Sequence, residues 1–127
     1  MFFTVLARAR SLAFCALAGA ALLGLAACSG NLEPSDKDIR RAETLRPKAA
    51  ALAERYERSC ITCHARPGTG APLSGHAAAW KKPLQKGMPQ LLQSAKQGIN
   101  AMPAMGMCQD CSDAELEQLI RFMAGQE

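Results

Sequence analysis

The chain has 127 residues, a formal net charge of +4 and only 5% aromatic residues. This length allows one small domain and excludes a large multidomain enzyme. The low aromatic content argues against a surface that stacks bases, and we expect no nucleic-acid partner. Six cysteines are many for a chain this short, and their assignment directs the rest of the interpretation.

Residues 1–27 have the pattern of a secretory signal peptide. Arg8 and Arg10 supply a positive start, and residues 11–27 carry no charge, a run shorter than the roughly 20 residues of a membrane-spanning helix. The end of this segment, Leu25-Ala26-Ala27-Cys28, resembles a bacterial lipobox, in which the cysteine becomes the lipidated first residue. The alternatives are an ordinary small-residue cleavage site and an uncleaved N-terminal anchor.

We therefore expect three segments in the chain. Residues 1–27 are the signal peptide of lipoprotein type, residues 28–35 are a lipidated N-terminus with a tether, and residues 36–127 are one folded domain. Lipid on Cys28 would hold the domain to a membrane in the bacterial periplasm. Ser29 follows this cysteine and no Asp does, which favours the outer membrane over the inner one.

The first half of the domain is predicted to be helical. Ser35 and Asp38 form an S-x-x-D helix start, and Pro47 ends that helix because it lacks an N–H group. Residues 47–59 are rich in Ala, Glu and Arg and predict a second helix. Its apolar face comprises Ala49, Leu52, Ala53 and Tyr56. Two Pro and three Gly predict a loop over residues 66–75.

The second half predicts two more helices separated by a methionine-rich loop. Pro89 opens a helix that ends at Gly98, and residues 100–109 are a loop. Residues 112–115 read Ser-Asp-Ala-Glu, a capping box that starts the last helix. Its inward face comprises Leu116, Leu119, Ile120 and Met123. No segment alternates as a strand does, so the pattern predicts an all-α domain.

The segment Cys60-Ile61-Thr62-Cys63-His64 is a C-x-x-C-H motif, the attachment signature of c-type haem. Two thiols on one turn form thioether bonds to the haem vinyl groups, and the adjacent His supplies the proximal nitrogen to the iron. A thioredoxin-like pair is one alternative, but it needs a βαβ context that this sequence lacks. A zinc site is another, because Cys108 and Cys111 could complete four sulfurs.

A second axial iron ligand is expected from the C-terminal half. The methionines beyond the signal segment are Met88, Met102, Met105, Met107 and Met123. Met123 lies on the inward face of the last helix, where packing is the simpler role, and Met88 stands at a helix start. The other three share one loop, in which Pro103 stiffens the backbone beside Met102. His76 is expected to be a solvent-facing loop residue rather than a ligand.

The order of these elements resembles class I cytochrome c, and the tail resembles cytochrome c5. The likeness rests on Asn100-Ala101-Met102-Pro103, Cys108-x-x-Cys111-Ser112-Asp113, Phe122-Met123 and Ala79-Trp80, and it covers about residues 36–127. The resemblance implies the class I cytochrome c fold, with helices wrapped around one covalently attached haem c. It also implies axial ligation by His64 and Met102 and a disulfide between Cys108 and Cys111. The Pro72 carbonyl would accept a hydrogen bond from the ring of His64.

Two positions depart from that resemblance. Leu52 stands where the family usually has Gly, and Ala104-Met105-Gly106 stands where it often has Pro-Lys-Gly. The second departure leaves Met105 and Met107 as competing thioether ligands.

The expected function is electron transfer rather than enzyme catalysis. The haem iron would cycle between Fe(II) and Fe(III), and redox partners would bind transiently. Lys81, Lys82 and Lys86 form either a solvated face or a docking patch for an acidic partner, and Trp80 is expected to pack in the haem pocket. The alternatives are a haem subunit of an envelope oxidoreductase complex, a haem-based ligand sensor, and a redox-active pair at Cys108 and Cys111.

Overall fold

All regular structure in the described part of the chain is helical. The computed structural model describes residues 33–126, and the predicted signal peptide and Cys28 lie outside them. The elements are α1 Asp36–Thr44, α2 Ala50–Arg55, a π-helical segment Tyr56–Cys60, α3 Ile61–His64, α4 Ala77–Leu84, α5 Met88–Gln97, a 3-10 turn Ala104–Met107 and α6 Asp113–Met123. No strand forms within these residues, so the all-α prediction is confirmed. None of these helices has the length and apolar run needed to cross a bilayer.

Both predicted capping boxes are present. The Ser35 side chain accepts a hydrogen bond from the Asp38 N–H, and the Asp38 side chain accepts one from the Ser35 N–H. Ser112 and Glu115 make the same reciprocal pair at the start of α6. Each box satisfies two backbone donors that a helix N-terminus leaves unpaired.

The second helix begins later in the chain than predicted. It begins at Ala50 rather than at Pro47, and Ala49 is exposed with an extended backbone. Leu52 and Tyr56 are buried as predicted. The helix also continues past Ser59 through the π-helical segment into α3, which ends at His64. Such π-helical turns occur frequently at functional sites, and this one leads directly into the C-x-x-C-H motif.

Helix α4 was not predicted from the sequence. It spans Ala77–Leu84 and contains Pro83, which argues against a helix because proline lacks the N–H donor. Pro83 lies near the C-terminal end of this short helix, so it removes only one helical hydrogen bond. The helix buries Trp80 and places it beside His64.

The core is centred on α6. Its buried residues are Leu116, Leu119, Ile120, Phe122 and Met123. Tyr56 meets Phe122 edge to face, with ring centroids 5.0 Å apart. This packing fixes the helix that carries the C-x-x-C-H motif against the last helix.

Candidate functional site

An apolar cavity of about 650 Å³ lies beside this core. Its lining includes His64, Trp80, Met102, Ile120 and Met123, contributed by α3, α4, α6 and the loop after α5. A second cavity of about 190 Å³ shares His64 and Met102 with the first and is also lined by Cys60 and Cys63. The larger volume falls within the range of about 300–1,000 Å³ typical of small-molecule sites.

Cys60 and Cys63 are free thiols, the first buried and the second exposed. Burial raises the pKa of Cys60 to about 11, so this thiol stays protonated at neutral pH. The cysteines of thiol-redox C-x-x-C motifs instead have depressed pKa values. The raised pKa therefore makes Cys60 a poor nucleophile for thiol–disulfide exchange.

His64 is buried, and its ring is oriented by the backbone. Its Nδ1 lies 2.9 Å from the carbonyl oxygen of Pro72, the contact that the resemblance implies. If Nδ1 carries the proton and donates it there, Nε2 keeps a lone pair available to a metal. Burial lowers the pKa of His64, which favours the neutral imidazole that metal ligation requires.

Trp80 packs beside this imidazole. The two ring centroids are 5.9 Å apart and the planes are inclined by 24°. The indole Nε1 donates a hydrogen bond to the Leu73 carbonyl at 2.9 Å, so the buried ring has its polar group satisfied. Trp80 thus forms an apolar wall of the larger cavity, as predicted.

Met102 lines both cavities, whereas the other loop methionines do not. Its backbone pairs with Ile99 through hydrogen bonds of 2.9 and 3.0 Å. Met105 is partly buried against the core and lines neither cavity. Met107 is 64% exposed and lines only the smaller one. Met88 packs partly buried against the core.

Cys108 and Cys111 are joined in a disulfide. Two of the four sulfurs that a zinc site would need are therefore bonded to each other. Among residues 33–126, no group of three or more His, Cys, Asp or Glu side chains is placed to hold a metal ion. The zinc alternative is accordingly not supported in the described part of the chain.

The prediction that His76 faces solvent is wrong. The residue is 9% exposed and lines the larger cavity, and its buried Nδ1 has no hydrogen-bond partner within residues 33–126. The preceding Gly75 N–H donates to the Met123 carbonyl at 2.7 Å, which draws the loop onto α6. This contact is made across the fold, and no local sequence signal indicates it.

The donor set fits a covalently attached haem. An imidazole and a thioether line one apolar space, and two thiols on one helical turn line the adjoining one. Thioether attachment uses the two thiols, and His with Met is a known pair of axial haem ligands. Ser59 lines the smaller cavity, and its buried Oγ has no hydrogen-bond partner among the described residues.

Comparison with known proteins gives the same indication. The family model described as cytochrome C oxidase, cbb3-type, subunit III, matches residues 47–123. Cytochrome c5 of Ectopseudomonas mendocina is 47% identical over 68 residues, which cover 52% of this chain and 78% of that protein. Cytochrome c5 of Azotobacter vinelandii is 43% identical over 68 residues, covering 52% and 82%. Cytochrome c-555 of Chlorobaculum tepidum is 35% identical over 115 residues, covering 87% and 92%.

Proposed function

The chain belongs to the class I c-type cytochromes, and from this premise we propose that it is a lipid-tethered electron carrier of the cell envelope with His64 and Met102 as axial ligands. It is a monohaem electron-transfer protein whose haem c is covalently bound, and it acts as an electron carrier rather than as an enzyme. The observation that carries the proposed ligand pair is that His64 and Met102 line the same apolar cavities.

The proposed roles of the site residues follow from their contacts. Cys60 and Cys63 attach the cofactor, and the Pro72 carbonyl holds the His64 ring at 2.9 Å so that it need not reorient. When bound, haem supplies reversible one-electron exchange between ferric and ferrous iron. The apolar walls, among them Trp80 and Ile120, would limit the contact of the bound cofactor with water.

Met102 is tested by the absorption spectrum of the protein matured in a host with c-type attachment machinery. We expect Met102→Ala to lose the Met–Fe(III) band and to lower the reduction potential, because a thioether ligand raises it. Met107→Ala is the matched control, since Met107 lies in the same loop and is 64% exposed. Loss of the band in the control but not in Met102→Ala would assign the ligand to Met107.

The membrane tether is proposed from residues 1–35, of which only 33–35 are described. Cys28 would carry the lipid, residues 28–35 would be the tether, and the cytochrome domain would begin at Asp36, where α1 starts. We expect Cys28→Ser to shift the haem protein from the outer-membrane fraction to the soluble periplasmic fraction. An unchanged distribution would contradict lipidation at this cysteine.

Redox partners are proposed to dock at the lysine patch formed by Lys81, Lys82 and Lys86. All three residues are exposed, and Lys82 and Lys86 border the larger cavity. A positive rim beside the cofactor speeds encounter with an acidic partner at low salt. Such an interface is small and weak, as rapid exchange of electron-transfer partners requires.

One comparison favours a second candidate function. The matching family model is described as a subunit of an oxidase, which supports the alternative of a haem subunit in an envelope oxidoreductase complex. Mild detergent purification from native membranes distinguishes the two. A catalytic chain that copurifies in a fixed ratio supports the subunit, and isolation of the cytochrome alone supports the carrier.

A further inference from the structure

The loop after Met102 has an unusual backbone. Met105, Gly106 and Met107 have φ values of 60°, 55° and 68°, so three successive residues lie in the left-handed region. Residues with a side chain adopt this region at a cost of about 1–2 kcal/mol each. The loop therefore carries backbone strain at two methionines, and its turn brings Gly106 close to Met102.

Gly106 is the residue that this turn brings against the Met102 side chain. A Cβ atom at Gly106 would lie 2.9 Å from Met102 Cε. Carbon atoms in contact are normally about 3.5–4.0 Å apart. The methyl group of Met102 thus occupies space that any side chain at position 106 would take.

Gly98 lies close to the backbone of Met102 and the two residues that follow it. A Cβ atom there would lie 2.8 Å from the Met102 carbonyl oxygen and 2.9 Å from the Ala104 nitrogen. The two glycines differ in which atoms an added Cβ would push aside. At Gly98 these are backbone atoms, whereas at Gly106 it is the end of the Met102 side chain.

We propose that Gly106 is a positioning residue that sets where the Met102 thioether lies. The inference rests on the proposed axial role of Met102. A methyl group at position 106 would force Met102 Cε to turn away, and this rotation redirects the lone pairs of the sulfur to which Cε is bonded. The ligand would then hold the iron less firmly, although the helices and the C-x-x-C-H motif are untouched.

Gly125 provides a matched control for this test. Its φ is +71°, a Cβ atom there would meet nothing within 4 Å, and it lines neither cavity. Gly125→Ala and Gly106→Ala therefore both place alanine at a positive φ, but only the second contacts Met102. A difference between the two variants at the iron is therefore assigned to that contact rather than to the cost of alanine at a positive φ.

The readouts are the Met–Fe(III) absorption band and the rate at which carbon monoxide binds the reduced holoprotein. We expect Gly106→Ala to weaken the band and to bind carbon monoxide about tenfold faster, equivalent to about 1.4 kcal/mol. Gly125→Ala should match the wild type in both. A Gly106→Ala protein indistinguishable from Gly125→Ala would overturn the inference.

Further variants separate this inference from the proposed function. Gly106→Asn keeps the Cβ contact in a residue that tolerates the left-handed region, and it should behave like Gly106→Ala. Adding Gly106→Ala to Met102→Ala should not change the carbon monoxide rate further, because Gly106 acts through Met102. If Met102→Ala keeps the band, the ligand assignment fails. If Met102→Ala loses the band while both Gly106 variants keep it, only the role of Gly106 fails.

Discussion

Tyr56 and Ser74 join the motif helix to the loop that follows it. The Tyr56 hydroxyl donates to Ser74 Oγ at 2.9 Å, and the Ser74 N–H donates to the His64 carbonyl at 2.7 Å. Both side chains are almost fully buried. Burial is also the main reason why the pKa of Tyr56 is raised. Ser74 thus connects the Tyr56 side chain to the backbone of His64.

Substitutions of this pair should have unequal effects on stability. Ser74→Ala leaves the buried Tyr56 hydroxyl without its partner, which costs about 1–3 kcal/mol. The double variant Tyr56→Phe/Ser74→Ala removes both polar groups, so it should be destabilised by less than the sum of the two single changes. Denaturant unfolding of the holoprotein measures all three. Strictly additive losses would show that the two hydroxyls do not interact.

Asp110 lies within the disulfide segment and accepts hydrogen bonds from two arginines. Arg58 and Arg55, in that order of importance, lower the pKa of Asp110 to about 2, and the Arg55 contact measures 2.7 Å. Arg58 also lies 3.7 Å from Cys108 Sγ. The segment that follows the Met102 loop is therefore connected to the helix that precedes Cys60.

This depressed pKa makes the contribution of Asp110 depend on pH. The unfolded carboxyl has a pKa of about 3.9, so the folded state favours its ionised form and gains stability above that pH. The gain is lost as the pH falls toward about 2. Asp110→Asn should therefore be less stable than the wild type at pH 7, with the difference shrinking at acid pH and in high salt. Denaturant midpoints of the two proteins across this pH range measure the difference in stability. A difference that does not change with pH would contradict the prediction.

At the scale of elements, the two capped helices differ in how many residues they contribute to the core. Helix α6 buries five residues in the core, whereas α1 buries only Ala42. Both begin with the same serine-based capping box. The same local chemistry thus supports a central helix in one case and a peripheral helix in the other.

Removing each cap should reveal this difference. Replacement of a serine N-cap by alanine costs about 0.5–2 kcal/mol when the whole fold depends on the helix. We expect Ser112→Ala to lower the global free energy of unfolding by an amount in this range. Ser35→Ala should cause mainly local fraying of α1, seen as faster amide exchange in residues 36–44 with little change in the denaturant midpoint. Equal midpoint shifts would indicate that α1 unfolds with the core.

At the scale of the whole molecule, the cavity is large relative to the core. A domain of this size buries a limited apolar surface, and the larger cavity takes up about 650 Å³ of the domain. Side chains that line such a space lose packing partners when nothing fills it. The cofactor is therefore expected to complete the core as well as to carry electrons.

The chain produced without haem attachment should fail to fold cooperatively. A suitable sample is the same sequence expressed in the cytoplasm of a host that lacks c-type maturation machinery. We expect little helix in its circular dichroism spectrum and no sharp thermal transition, whereas the matured protein should show both. A cooperative transition at the same temperature in the two samples would contradict a structural role for the cofactor.

The features predictable from sequence are those encoded over a few residues. Ser35 with Asp38, Ser112 with Glu115 and the C-x-x-C-H motif each act within one helical turn, so their spacing is sufficient to recognise them. The apolar period of α6 likewise identified its buried face. Helix α4 was not predicted, because it contains Pro83 and buries Trp80 through contacts made across the fold rather than through a local signal.

The tertiary structure decided which distant residues share a space. The loop sequence left Met102, Met105 and Met107 open as candidates, and only the path of the chain after α5 brings Met102 to both cavities. His76 lies in a loop, but the hydrogen bond from Gly75 to α6 helps to bury it. Burial and contact across the fold depend on how the helices pack against one another, and this packing energy is not carried by any single stretch of sequence.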